Sequence, residues 1–343
     1  MKRLLNTLYV TTEGAALRKD GENAVVLVDG EERGRVPLHM LASIVAFGPV
    51  VVTPSLIGAV ARAGITIVLL DRIGRFEARV EGPVSGNVLL RRAQYAASDA
   101  PFALVRDILM GKLANQRTCL VRALRERRPD GEARAAIRAA TDSLARLLRL
   151  LDRNPPDDVD AMRGMEGEAA ALYFGVFDHL VARDEPELIF GQRSRRPPRN
   201  RVNALLSFLY TLLTHDCRSA CEAVGLDPAV GFLHRDRPGR PSLALDLMEE
   251  LRPVLVDRMV TTLLNRRQIG VGDFVVEDGG AVALTEEGRR TVLTAWQERK
   301  KKERVHPFLG ESVPFGLVPY VQAQMLSRHL RGDLDAYPPW LWR

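Results

Sequence analysis

The chain has 343 residues, 46% of them hydrophobic and 27% charged, with a formal net charge of +6. That much apolar material can build a buried core in one large or two smaller domains without a staple, and the modest positive excess favours an acidic partner, nucleic acid ahead of a membrane surface. No run approaches the roughly 20 apolar residues that span a bilayer, and the opening MKRLLNTLYVTTEGAAL lacks a signal-peptide core with a cleavage site, so the expected location is cytoplasmic.

The N-terminal part, about residues 1–85, reads as mainly β. LNTLYVT, AALRK, AVVLVDG and GRVPL are short runs separated by turn residues, and Lys19–Asn23 (KDGEN) is a hairpin connection. One helix interrupts them: Thr53 is placed to cap it, Pro54 sits in its first turn, LIGAVARA carries the apolar face and Gly64 ends it. ITIVLLD then reads as a buried strand and RFEARVEG as a half-exposed one.

From about residue 86 the apolar period changes to 3.6, in FALVRDILMGKLANQRTCLVRALRER and AIRAATDSLARLLRLLDR. RRPDGE and RNPPDD break the pattern before the helix-compatible stretch GMEGEAAALYF, which carries Glu166; its Gly164 and Gly167 would let another backbone or a ligand come close. The expected architecture is therefore α+β: a β-strand-rich domain over 1–85, then a larger, mostly α-helical domain over 86–343. Near the C-terminus FVVEDGGAVALT suggests a small hairpin, and Thr285 a cap for a helix that runs to about Lys302. Lys300, Lys301 and Lys302 read as its solvated end. Cys119, Cys217 and Cys221 form no C-x-x-C pair and read as buried core thiols; a metal contact by Cys217 and Cys221 with His215 is the lesser alternative.

Chemistry concentrates in the helical part. His234 lies in a Gly-, Pro- and Arg-rich loop, and the helix that starts at Ser242 carries Asp246 and Glu249 three residues apart, on one face. Carboxylates plus one imidazole suit a hard divalent cation, Mg2+ or Mn2+. Arg193, Arg195, Arg196, Arg199 and Arg201 fall within nine residues that hold no acid, stiffened by Pro197 and Pro198. Arg235, Arg237 and Arg240 follow His234. Guanidinium groups so placed suit phosphate contacts.

These stretches resemble the CRISPR-associated protein 1 family, the integrase subunit of CRISPR adaptation. The likeness is carried by GMEGEAAALYF, RRPPRNRVNALLSFLYTLL, GFLHRDRPGRPSLALDLMEELRP and YPPWLWR, and in the N-terminal half by GAALRKDG, the run from VPLHMLASIVAF to FEARVEG, and GNVLLRRAQY. YPPWLWR and LALDLMEELRP are most similar to the type I-C branch. The resemblance implies Glu166, His234 and Glu249 as metal ligands, with Asp246 beside them as a second acid or an orienting group. His234 as general base, with carboxylates alone holding the metal, is the other arrangement. It further implies 3′-hydroxyl attack by a short DNA duplex on a CRISPR repeat end, or hydrolysis of branched or single-stranded DNA if water attacks instead. A homodimer formed through the N-terminal domain, CRISPR-associated protein 2, and a nuclease of the CRISPR-associated protein 4 kind are the implied partners. One departure stands out: the family often has aspartate where this chain has Asn200, which puts in doubt a cap or salt bridge built on that carboxylate.

Overall fold

A computed structural model describes residues 6–71, 76–82, 88–127, 129, 131–183, 185–194 and 197–342, with Asn6, Ala42 and Phe76 described by their backbone alone. The chain divides into two compact units, residues 1–85 with 293–297, and residues 86–292 with 298–343. Among the described residues, no helix is long and apolar enough to cross a membrane.

The first unit holds β1 (Asn6–Val10), β2 (Ala16–Asp20), β3 (Asn23–Val28), β4 (Glu31–Pro37), β5 (Leu41–Phe47), β6 (Val51–Val52), α1 (Pro54–Arg62), β7 (Thr66–Leu70) and β8 (Phe76–Val80). They make two sheets, ordered β1-β5-β7-β8 and β4-β3-β2-β6. The β2–β3 hairpin falls at KDGEN, with Asp20 opposite Asn23 and Gly21 in the left-handed region at φ 56°, where an added Cβ would be strained. Leu17, Ala24, Ile44, Leu56, Val60 and Ile67 form the core. α1 starts and stops as its sequence indicates, with Pro54 in the first turn and Gly64 at φ 68° beyond the end. Thr53 does not cap with its side chain, however; its hydroxyl pairs with Ser55 at 3.2 Å.

The second unit is mostly helical: α2 (Val88–Ser98), α3 (Phe102–Glu126), α4 (Gly131–Arg153), α5 (Val159–Gly175), α6 (Arg201–Val224), α7 (Ser242–Glu249), a π-helical segment Arg252–Asp257, α8 (Arg258–Asn265), α9 (Glu286–Lys301, whose residues 293–297 group with the first unit) and α10 (Val318–Leu330). Two small hairpins, β9 (Phe274–Val276) with β10 (Val282–Leu284) and β11 (Glu303–Val305) with β12 (Ser312–Pro314), complete it. Strand-rich followed by mostly helical is the α+β order expected. Asp158 caps α5 through the N–H groups of Asp160 and Ala161, and Thr285 caps α9 through Gly288. Asn200 caps α6 without a carboxylate: its Oδ1 accepts from the Asn203 N–H at 2.8 Å while its Nδ2 donates to the Phe190 carbonyl at 2.8 Å. An amide does here what the departure from aspartate put in doubt, because the task needs one acceptor and offers work for a donor. Lys300 departs from expectation: it is buried and paired with Asp216 at 2.9 Å rather than solvated.

Candidate metal centre

Asp246 is the centre's best-held group. It is fully buried on α7, and its two oxygens accept the backbone N–H groups of Phe232 (2.6 Å), Leu233 (3.0 Å) and His234 (2.9 Å) as well as His234 Nδ1 (2.6 Å). The loop closes over the helix because position 231 is glycine: a Cβ there would stand 2.8 Å from Ser242 Cβ and 2.9 Å from Asp246 Oδ2. A carboxylate that already accepts three backbone donors has an acceptor to offer the ring, so Nδ1 is the donor, and in a neutral ring Nε2 would carry the lone pair. That Nε2 lies 3.7 Å from Glu249 Oε1. Asp246 thus orients the loop and the imidazole.

Glu249 ends α7 and is 1% exposed. Burial would raise its carboxyl, but Arg252 and Lys112 outweigh that and hold it at about 2. Arg252 contacts Glu249 Oε1 at 2.8 Å, and its guanidinium lies 5.1 Å from the Tyr210 ring centroid. Tyr210 donates its hydroxyl to Asp257, whose carboxyl burial pushes up to about 6.

Glu166, on α5, is half-exposed and meets Glu249 through a third residue. The ammonium of Lys112, on α3 and itself buried, contacts Glu166 Oε1 and lies 2.7 Å from Glu249 Oε2. One cation therefore bridges carboxylates from two helices. Among the described residues, no three His, Cys, Asp or Glu side chains are gathered so that they alone could hold a metal ion. The donor set nonetheless suits one in kind: two carboxylates that already share a positive charge, and an imidazole whose free nitrogen faces one of them.

Lys112, Arg252 and Tyr210 were not singled out by the sequence. Lys112 carried a signal: with Asn115 and Gln116 it puts polar residues at i, i+3 and i+4 of the otherwise apolar run 108–116, and all three are buried. Arg252 stands three residues after Glu249, a spacing at which opposite charges meet. Gly164 and Gly167 admit no neighbouring backbone; both are exposed, with nothing within 4 Å of an added Cβ.

The arginines separate by role. Arg193 is drawn inward, donating to Asn203 Oδ1 (2.6 Å) and the Ser194 carbonyl (2.8 Å), 5.4 Å from the Tyr210 centroid. Arg199 is exposed and reaches the Gly279 carbonyl at 3.2 Å, while half-buried Arg201 donates weakly to Val271. Arg195 and Arg196 lie outside the described residues. Arg237 is exposed, Arg240 half-buried, and Arg235 is exposed but tethered to Asp160 at 2.5 Å. Asp160, Arg163, His234 and Arg235 line an open cleft of about 410 Å³, with Phe102 and Asp158 on its walls. Cys217 and Cys221 are buried, as expected of core thiols.

Comparison with known proteins adds the following. The family model described as "CRISPR associated protein Cas1" matches residues 8–298. The chain is 66% identical over 345 residues to the CRISPR-associated endonuclease Cas1 2 of Rhodospirillum rubrum, covering 100% of both. It is also 38% identical to a CRISPR-associated exonuclease Cas4/endonuclease Cas1 fusion of that organism, covering 96% of this chain and 57% of the fusion. Among solved structures, a casposase bound to integration product aligns with a TM-score of 0.82 at 22% identity, covering 99% of this chain and 94% of that one. A Cas6-RT-Cas1–Cas2 complex aligns with a TM-score of 0.83 at 23% identity, covering 100% of this chain and 36% of that one. At such identities the two structures speak to the fold alone.

Proposed function

The chain belongs to the Cas1 family of CRISPR-associated proteins, and from that premise we propose that it is a divalent-metal-dependent DNA integrase and nuclease, which inserts short duplexes into a CRISPR array. The coarser role, a CRISPR-associated nuclease or integrase, agrees with what its relatives are called. The metal and the reaction are the proposal. The single observation that carries it is the Lys112 ammonium held between Glu166 and Glu249, with His234 Nε2 3.7 Å from the other oxygen of Glu249.

In this reading Glu166, Glu249 and His234 would hold Mg2+ or Mn2+, which when bound would polarise the attacked phosphodiester and steady the departing 3′ oxygen. The chain's own residues do the rest. Asp246 keeps the proton on Nδ1, so that Nε2 presents a lone pair. Arg252 keeps Glu249 ionised and aimed, and Tyr210 backs Arg252. Arg235, Arg237 and Arg240, on the loop that carries His234, would take phosphates of the incoming duplex, with Arg235 leaving Asp160 to do so. Arg199 and the run around Arg195 and Arg196 offer a second set of contacts, whereas Arg193 serves the fold. No covalent protein intermediate is needed, because a 3′ hydroxyl can attack directly.

A homodimer built through the N-terminal unit, a Cas2 partner and a Cas4-type nuclease complete the proposal, as does a place in the type I-C branch suggested by YPPWLWR. Relatives in which Cas4 and Cas1 are one chain, and a structure in which Cas1 and Cas2 occur together, support the partners. Joining of a duplex with a free 3′ hydroxyl to a repeat-bearing target tests the reaction. Glu166→Ala and chelation should each abolish joining with duplex binding retained, and blocking the 3′ hydroxyl should stop it. Cutting that survives the block identifies hydrolysis by water, and joining by Glu166→Ala would overturn the site.

A further inference from the structure

Glu250 follows Glu249 but serves a different set of groups. Its Oε1 accepts from the Tyr337 hydroxyl (2.7 Å) and Gln322 Nε2 (2.8 Å), and its Oε2 from the Trp340 backbone N–H (2.7 Å). Asn115 works from the other side. One turn beyond Lys112 on α3, it donates Nδ2 to the carbonyls of Glu250 (2.7 Å) and Trp340 (2.8 Å), and its Oδ1 accepts the Trp342 N–H (2.8 Å). His306 Nε2 lies 2.9 Å from Gln322 Oε1, and the Trp342 ring sits beneath the guanidinium groups of Arg122 (4.0 Å) and Arg258 (4.8 Å). Position 111 must be glycine for this packing, since a Cβ there would stand 2.9 Å from Pro339 and 3.0 Å from Glu250.

The arrangement has a mechanical reason. α7 ends at Glu249 and the chain re-forms as a π-helix from Arg252, so the regular α ladder does not by itself set the backbone rotation at residues 249–251. Asn115 takes the Glu250 carbonyl at that junction. Lys112 and Asn115 share one face of α3, so the same helix surface meets the Glu249 carboxylate and grips the backbone one residue on. We propose that Glu250 and Asn115 are positioning residues of the metal centre, and that the segment Tyr337–Trp342 is the brace through which they hold Glu249 in register with Glu166 and His234. This rests on the reading of Glu249 as a ligand.

The test compares the full chain with Glu250→Gln, Tyr337→Phe and, as a site control, Glu249→Gln. Mn2+ binding is measured by electron paramagnetic resonance without DNA, alongside duplex affinity, thermal unfolding and joining rate against Mn2+ concentration. Glu250→Gln keeps the shape but turns an N–H toward donors. It should weaken Mn2+ binding about 10- to 100-fold, the range typical of groups that orient metal ligands, with duplex affinity unchanged. Tyr337→Phe, which removes one hydroxyl and is the safer variant for folding, should shift Mn2+ binding the same way by less. Mn2+ affinity within about twofold of the parent in both variants overturns the proposal, as does a loss no greater than the unfolded fraction accounts for. If the parent binds no Mn2+, or Glu249→Gln binds it equally well, the ligand reading itself has failed; if both controls behave and only Glu250→Gln and Tyr337→Phe look like the parent, the brace alone has failed.

Discussion

Asp246→Asn tests how the imidazole is held. The substitution preserves volume but leaves one acceptor oxygen where four donors converge: the N–H groups of Phe232 and Leu233 on Oδ2, and the N–H and Nδ1 of His234 on Oδ1. Turned one way, the new amide faces two backbone N–H groups. Turned the other, it orphans the His234 N–H and forces the ring to accept at Nδ1, which moves the proton to Nε2. Each buried donor left without a partner costs roughly 1–3 kcal/mol, so urea denaturation should show a loss of about 1–3 kcal/mol in the second orientation and about twice that in the first, since Asp246 is wholly buried and water cannot substitute. In the second orientation Mn2+ binding also weakens, because the lone pair is gone. A variant within about 0.5 kcal/mol of the parent, the scatter of ordinary surface changes, with unaltered Mn2+ affinity, would refute this account.

Three further outcomes are expected. Lys112→Ala removes the cation shared by Glu166 and Glu249: the metal-free protein should lose stability by a few kcal/mol, while added Mn2+ should raise its melting temperature more than it raises the parent's, and an equal or smaller rise counts against Lys112 occupying the metal's place. Gly231→Ala forces a Cβ to within 2.8 Å of Ser242 Cβ, so calorimetry should register a loss of about 1–3 kcal/mol together with reduced joining; an unchanged melting temperature would show that the loop has room. Burial raises the Glu250 carboxyl from 4.5 to about 7 against the donors Tyr337, Gln322 and Trp340. The folded chain then holds a proton that the unfolded chain releases near 4.5, so this contribution to stability is full below that pH and lost as pH rises through about 7. Between pH 5 and 8 the melting temperature should fall less in Glu250→Gln than in the parent, and parallel curves would contradict the assignment.

Much of the molecule is written locally. KDGEN turns a hairpin because Gly21 accepts a positive φ, and Thr285 caps α9 through contacts within a few residues. The α+β order follows from the change of apolar period, which needs no long-range information. Asp246 and Glu249 share a face by spacing alone, and the family resemblance implies Glu166, His234 and Glu249 as ligands from sequence motifs. Other features depend on partners distant in the chain. Lys112 lies 54 residues from Glu166, and nothing in its helix says that two carboxylates will close on it rather than solvent. Arg193 looked like a phosphate contact, yet Asn203 and Ser207 of α6 draw it in, and Lys300 looked solvated until Asp216 buried it. Composition and periodicity report what a residue would do in water or on its own helix. Which charges lose that water, and therefore must find each other, was decided only when α3, α5 and α7 packed together, because desolvation makes an unpaired ion too costly to leave alone.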